Sequence, residues 1–178
     1  KENREFYQLM IGELDRANSI IREFLSLARV REGKMRRVDL NAVVETLLPL
    51  IKAEAIIADK QVRTEMEELP PLLLDEKEVR QLILNLVFNG LEAMAAGGTV
   101  TIRTSRAGEE VLLEVVDEGP GISGEVLERL GSPFFTTKEN GTGLGLAVCY
   151  RIAERHDARI EVKTGPPGTT FQVRFRCW

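Results

Sequence analysis

Apolar residues in the first thirty positions repeat on a heptad. Tyr7, Met10, Leu14, Ala17, Ile21, Phe24 and Ala28 are spaced 3, 4, 3, 4, 3 and 4 apart, the seam of a helix bundle or coiled coil. Ile11, Ile20, Leu25 and Leu27 broaden the seam, which favours a four-helix bundle over a two-stranded coil. One helix cannot bury such a face alone. The expected cover is another helix, from a second copy or from residues preceding Lys1; the alternative is packing against its own domain. Arg29 to Arg37 then holds five basic residues (Arg29, Arg31, Lys34, Arg36, Arg37) around Gly33, the pattern of a helix end and hinge. This run reads as a solvated linker, with contact to something acidic as the alternative.

From Asp39 helices and strands alternate. Asp39 caps a helix running to about Ala58, with Val43, Val44, Leu47, Leu48, Ile51 and Ala55 on one face. Gln61 to Met66 alternates as a short strand. Asp75-Glu76-Lys77-Glu78 resembles a capping box and opens a helix that ends near Ala95-Ala96-Gly97-Gly98, burying Val79, Leu82, Ile83, Leu86 and Met94. Thr99 to Thr104 and Val111 to Asp117 read as neighbouring strands joined through Ala107-Gly108-Glu109. Leu144 to His156 is a helix; Arg159 to Lys163 and Thr170 to Arg176 form a hairpin around Gly165-Pro166-Pro167-Gly168. The order predicts an α/β fold, a mixed sheet with helices packed on one face, preceded by a long bundle helix.

Composition narrows the class. With 178 residues, 43% hydrophobic and 29% charged, the chain has the make-up of an ordinary globular domain plus a helical appendage. A net charge of −4 argues against nucleic acid as the main partner. No apolar run approaches the roughly eighteen residues needed to cross a membrane, and no secretory signal opens the chain. A start at Lys1 reads as a fragment of a longer, cytoplasmic protein, with any anchor lying outside the sequence. Cys149 and Cys177 have neither CxxC nor metal-ligand spacing and read as incidental or buried thiols.

The chemistry concentrates in three segments. Asn85, Asn89 and Glu92 fall at i, i+4 and i+7 and so share one side of the second core helix. Asparagine is a poor interior helix residue, and two on one stripe imply a partner outside the helix. An amide oxygen suits Mg²⁺, which keeps waters and leans on substrate phosphates, so Asn89 is the candidate metal ligand. Asn85 is the candidate for a metal-bound water or a phosphate. Asp117 ends a buried strand, where a carboxylate is costly unless it meets a donor such as the exocyclic amine of adenine. Gly119 and Gly121 let the backbone approach a base and turn sharply. Gly141-Thr142-Gly143-Leu144-Gly145 opens a helix, whose free N–H groups and dipole suit phosphate oxygens. It is neither a Walker loop nor a dinucleotide fingerprint. The roughly twenty residues between the glycine clusters, including Ser132-Pro133-Phe134-Phe135-Thr136-Thr137-Lys138, read as a lid over a ligand. Phe134 and Phe135 either anchor it or are core contacts, and Lys138 can reach a terminal phosphate.

These segments together resemble the ATP-binding catalytic domain of sensor histidine kinases, in the group shared with DNA gyrase, the heat-shock chaperone ATPase and mismatch-repair proteins. The resemblance covers about residues 36–178. The Asn85…Asn89 helix resembles the N box, and Asp117-Glu118-Gly119-Pro120-Gly121, followed by Ile122, the first glycine box. Pro133 to Lys138 resembles the phenylalanine box as sporulation- and nitrogen-type kinases write it, and Gly141 to Gly145, followed by Leu146, the second glycine box. Gly168-Thr169-Thr170-Phe171 is similar to the terminal Gly-Thr motif, whose threonine supports the adenine-binding Asp through water. The resemblance implies a Bergerat-type α/β sandwich holding Mg-ATP between the N-box helix and the lid, a response regulator as phosphoryl acceptor, and a homodimer. It also implies two parts: residues 1–33, the second helix of a dimerisation and phosphotransfer hairpin plus linker, and residues 34–178, the catalytic domain.

The chain departs from the family in lacking the first hairpin helix with its acceptor histidine. Its single histidine, His156, reads as a surface or cap residue. Two other functions are compatible with the motifs: an ATP-binding regulatory or dimer module without transfer, and an anti-sigma-type serine kinase. The heptad argues against the second.

Overall fold

The computed structural model describes residues 2–28, 34–138 and 141–177. Helix α1 (Glu2–Ala28) is followed by β1 (Arg36–Val38), α2 (Leu40–Ile57), β2 (Gln61–Met66), β3 (Leu72–Leu74) and α3 (Glu76–Ala93). Then come β4 (Thr99–Ala107), β5 (Glu110–Asp117), α4 (Gly124–Glu128), α5 (Gly145–Arg155), β6 (Arg159–Gly165) and β7 (Gly168–Arg176). Five strands form one sheet in the order β2-β4-β5-β7-β6; β1 and β3 form a separate antiparallel pair.

The sheet is mixed because of its connections. β2 reaches β4 by way of α3, and the two strands pair in parallel, Val62 opposite Val100. The remaining neighbours are antiparallel. Side chains alternate with a period of two. Val100, Ile102, Val111, Leu113, Val115, Phe171, Val173 and Phe175 point into the core. The other face is polar: Arg103, Glu114 and Gln172 stand in one row across β4, β5 and β7, linked by hydrogen bonds.

One layer of three helices covers the apolar face, with α3 between α2 and α5. α2 buries Leu40, Val43, Val44, Leu47, Ile51 and Ala55, and α3 buries Val79, Leu82, Ile83, Leu86, Val87, Gly90 and Leu91. Both start at aspartate caps. Asp39 accepts the N–H groups of Asn41 and Ala42, and Asp75 those of Lys77 and Glu78. The reciprocal half of the second capping box is replaced: the Asp75 N–H donates to His156 Nε2 at 3.0 Å. His156, at the C-cap of α5, is therefore buried rather than on the surface, and its Nδ1–H donates to Ile152 O at 2.7 Å.

The seam of α1 faces outward: Tyr7, Met10, Leu14, Ile21 and Phe24 are all exposed. α1 touches α5, and the rings of Phe24 and Phe134 lie 6.1 Å apart. Among the described residues no helix is long and apolar enough to cross a membrane. Arg29, Arg31 and Gly33, and with them the expected boundary at residue 33, lie outside the described residues. Arg36 and Arg37 are in β1 rather than a plain linker, and Arg36 pairs with Glu76.

Candidate functional site

The helix layer, the end of β5 and the long loop before α5 enclose a cavity of about 560 Å³. From α3 it is lined by Asn85, Asn89 and Glu92; from β5 and the turn after it by Asp117, Gly121 and Ile122. The loop contributes Phe135, Thr136, Thr137, Lys138, Gly141, Thr142 and Gly143, the start of α5 Gly145 and Leu146, and β7 Thr169. The sequence motifs thus meet in one place.

Asp117 is the buried charge of the site, only 6% exposed. Its Oδ1 accepts N–H groups from Gly119 (2.8 Å) and Thr169 (3.2 Å). Burial pushes the carboxyl above the usual aspartate range, and the two amides pull it partly back. Glycines make room for it. A Cβ at Gly90 would meet Asp117 Cβ at 3.3 Å, so a glycine lets α3 lie close against the strand end. Thr169 belongs to a short chain of hydroxyls: its Oγ1 is 3.0 Å from Thr164 Oγ1, which accepts the Ile122 N–H at 2.7 Å.

The two asparagines take different partners. Asn85 Nδ2 donates to Gly145 O at 3.0 Å, tying α3 to the first turn of α5. Asn89 Oδ1 accepts from Lys138 Nζ at 3.0 Å, and the same ammonium pairs with Glu92. Lys138 thereby joins the lid to α3, with its charge at the amide oxygen expected to meet a metal. Beneath Asn85 the Cys149 thiol is wholly buried and raised by burial to about 12, an inert group.

The loop is held by backbone approach. Gly143 has φ +69, and a Cβ there would meet Phe134 C at 2.5 Å and Phe135 N at 2.7 Å. Arg129 lies over the Phe135 ring, 4.2 Å from its centroid. Phe135 lines the cavity, whereas Phe134 is exposed and meets Phe24. α5 begins without a side-chain cap at Leu144.

Three expected binding residues do not line the cavity. Gly119 stands behind Asp117, where its missing Cβ would come 2.8 Å from the carboxylate oxygen. Leu144 is buried in the core, and its N–H donates to Thr142 Oγ1 at 3.2 Å. Thr170 lies on the opposite face of β7, opposite Val116 and Lys163. Conversely, Phe88, Ala93, Val126, Leu130 and Gly131 line the cavity without having been singled out, and Pro120, Ser132 and Phe171 join it from within the motifs. Phe88, at the step between Asn85 and Asn89, had a sequence signal; Val126 and Leu130 come with α4, too short to show a period.

Comparison with known proteins agrees with this geometry. The signature of the histidine kinase-, DNA gyrase B- and HSP90-like ATPases matches residues 74–177. Sporulation kinase C of Bacillus subtilis (strain 168) is 31% identical over 175 residues, 97% of this chain and 41% of that protein. Sensor histidine kinase ZraS of Escherichia coli (strain K12) is 35% identical over 174 residues, 97% of this chain and 37% of that protein. The chain spans about two-fifths of the length of these relatives. The structure of histidine kinase ThkA in complex with response regulator TrrA superposes with a TM-score of 0.82 at 25% identity, covering 97% of this chain and 51% of that one. Together with the cavity at the end of β5, the match over residues 74–177 places the chain in the histidine kinase-, DNA gyrase B- and HSP90-like ATPase family.

Proposed function

We propose that this chain is the nucleotide-binding catalytic part of a sensor histidine kinase, which binds Mg-ATP and passes its γ-phosphoryl group to a histidine on a bundle helix outside residues 1–178. The observation that carries the reading is the convergence of Asp117, Asn89 and Gly143 on one cavity. Residues 34–178 form the nucleotide-binding part in this reading, and residues 1–33 the second helix of a dimerisation hairpin with its linker.

The donor set fits the ligand. Asp117 offers a buried carboxylate at the cavity wall, an acceptor for the amine of adenine. Such a charge-assisted bond is worth about 1.5–3 kcal/mol. The first turn of α5, with no side-chain cap, and the N–H of Gly143 suit phosphate oxygens. Among the described residues no cluster of three His, Cys, Asp or Glu side chains is placed to hold a metal. A magnesium ion here would rest on Asn89 and the phosphates, as this cation commonly does. The Lys138 ammonium at Asn89 Oδ1 supports that reading, as an amide oxygen turned toward a cation. Magnesium, when bound, neutralises phosphate charge during transfer. Lys138, held at Asn89 and Glu92, is the side chain positioned to do the same from the lid.

His156 does not serve as acceptor in this reading. Its side chain is fully buried and both ring nitrogens are hydrogen-bonded. The partners follow: a second copy against α1, a phosphoacceptor helix, and a response regulator such as the one bound by ThkA. The test supplies a histidine-bearing bundle helix in trans with γ-labelled ATP. Acid-labile label is expected on the added helix and none on this chain alone. Label at His156, or nucleotide bound without any transfer, contradicts the assignment.

A further inference from the structure

Asp117, Thr169 and Thr164 stand directly opposite one another on β5, β7 and β6, so their side chains form one row across three strands. Asp117 and Thr169 reach the cavity wall; Thr164 stands behind them on the edge strand. Thr164 Oγ1 accepts the Ile122 N–H at 2.7 Å and lies 3.0 Å from Thr169 Oγ1. A threonine hydroxyl carries one hydrogen and two lone pairs. Whichever hydroxyl donates, one hydrogen of the pair is left over: that of Thr164 if Thr169 donates, that of Thr169 if Thr164 donates. Thr169 is buried and lines the cavity, whereas Thr164 is half-buried behind it, so the arrangement that leaves the spare hydrogen on Thr169 is the one that offers it to a ligand.

We propose that Thr164 is a positioning residue that turns the Thr169 hydroxyl into a hydrogen-bond donor facing the cavity, beside the acceptor Asp117. An acceptor next to a donor complements the edge of adenine, whose amine donates and whose neighbouring ring nitrogen N1 accepts, directly or through one water. Guanine presents the reverse order, a carbonyl beside an N–H. Thr164 thus acts on base recognition without touching the base. It also fixes the turn after Gly121 through the Ile122 amide. The inference rests on the proposed nucleotide site.

The test pairs a substitution with an atom of the ligand. The chain is titrated with ATP and with 1-deaza-ATP, which keeps the amine and lacks N1. In the unsubstituted protein ATP should bind about tenfold more tightly than 1-deaza-ATP, the worth of one buried hydrogen bond. In Thr164→Val ATP should weaken about tenfold and 1-deaza-ATP little, so that the preference disappears. Thr164→Ser should retain both the affinity and the preference. An undiminished preference in Thr164→Val, with both nucleotides weakened alike, overturns the proposal by reducing Thr164 to loop support. So does a loss that Thr164→Ser fails to rescue. Failure of the unsubstituted chain to bind ATP overturns the nucleotide site itself, and this inference with it.

Discussion

Asp117 follows Val111, Leu113 and Val115 on the core-facing side of β5, a buried position for a carboxylate. Its raised pKa fixes the sign of two effects. Folding raises the value, so the side chain favours the native state while protonated, below the ordinary 3.8, and that contribution is lost as pH rises through the native value. In Asp117→Asn the amide oxygen can keep the Gly119 and Thr169 bonds without the burial of charge. The ligand-free variant should therefore be at least as stable as its parent at pH 7, with the parent's relative stability falling from pH 3.8 upward, measured by urea denaturation across pH. A clearly less stable variant at neutral pH would contradict the burial cost assigned here. Nucleotide binding has the opposite sign, because the ionised carboxylate is the acceptor, and should weaken as pH falls through the native value. His156 makes a second case. His156→Ala leaves the Asp75 N–H without its partner and opens a void beside Phe175, and should cost about 2–4 kcal/mol in the same assay. Asp117 was legible in the sequence, since a charge closing an apolar alternation calls for a partner. The His156 bond was not: its two partners are 81 residues apart, and no local pattern encodes that.

At the scale of elements, α2, α3, α5 and the five long strands were all legible, because each spans several periods of its hydrophobic repeat. β1 and β3, three residues each, show no period, and the first lay in what read as a charged linker. The lid was legible as a loop between two glycine clusters, but α4 and its cavity-facing Val126 were not. What the loop's shape depends on is the approach at Gly143. Alanine there would take a positive φ and press its Cβ to 2.5 Å from Phe134 C. Gly143→Ala should keep the helix and strand content by circular dichroism and weaken nucleotide binding by at least about tenfold, since the strained turn displaces the Phe134–Phe135 backbone. Unchanged affinity would mean that this turn has no part in the site. Lys138 contributes differently. Its link to Asn89 and Glu92 is partly exposed, so it orients the lid more than it stabilises the fold.

For the molecule as a whole, the motifs lie on separate elements, Asn85 to Glu92 on α3, Asp117 at the end of β5 and Gly141 to Gly145 before α5. Their meeting in a single cavity is a property of the topology: β5 is central, β7 lies beside it, and α3 is the middle helix above them. α1 touches α5 yet leaves Tyr7, Met10, Leu14 and Ile21 exposed, in keeping with a bundle that needs further helices. The claim beneath all of this is that the cavity takes Mg-ATP, and melting the protein with and without it is the most direct measurement. At a nucleotide concentration one hundred times the dissociation constant, stabilisation of about 2.7 kcal/mol is expected, with most of the shift lost in Asp117→Asn. Identical melting curves with and without millimolar Mg-ATP would contradict the nucleotide site.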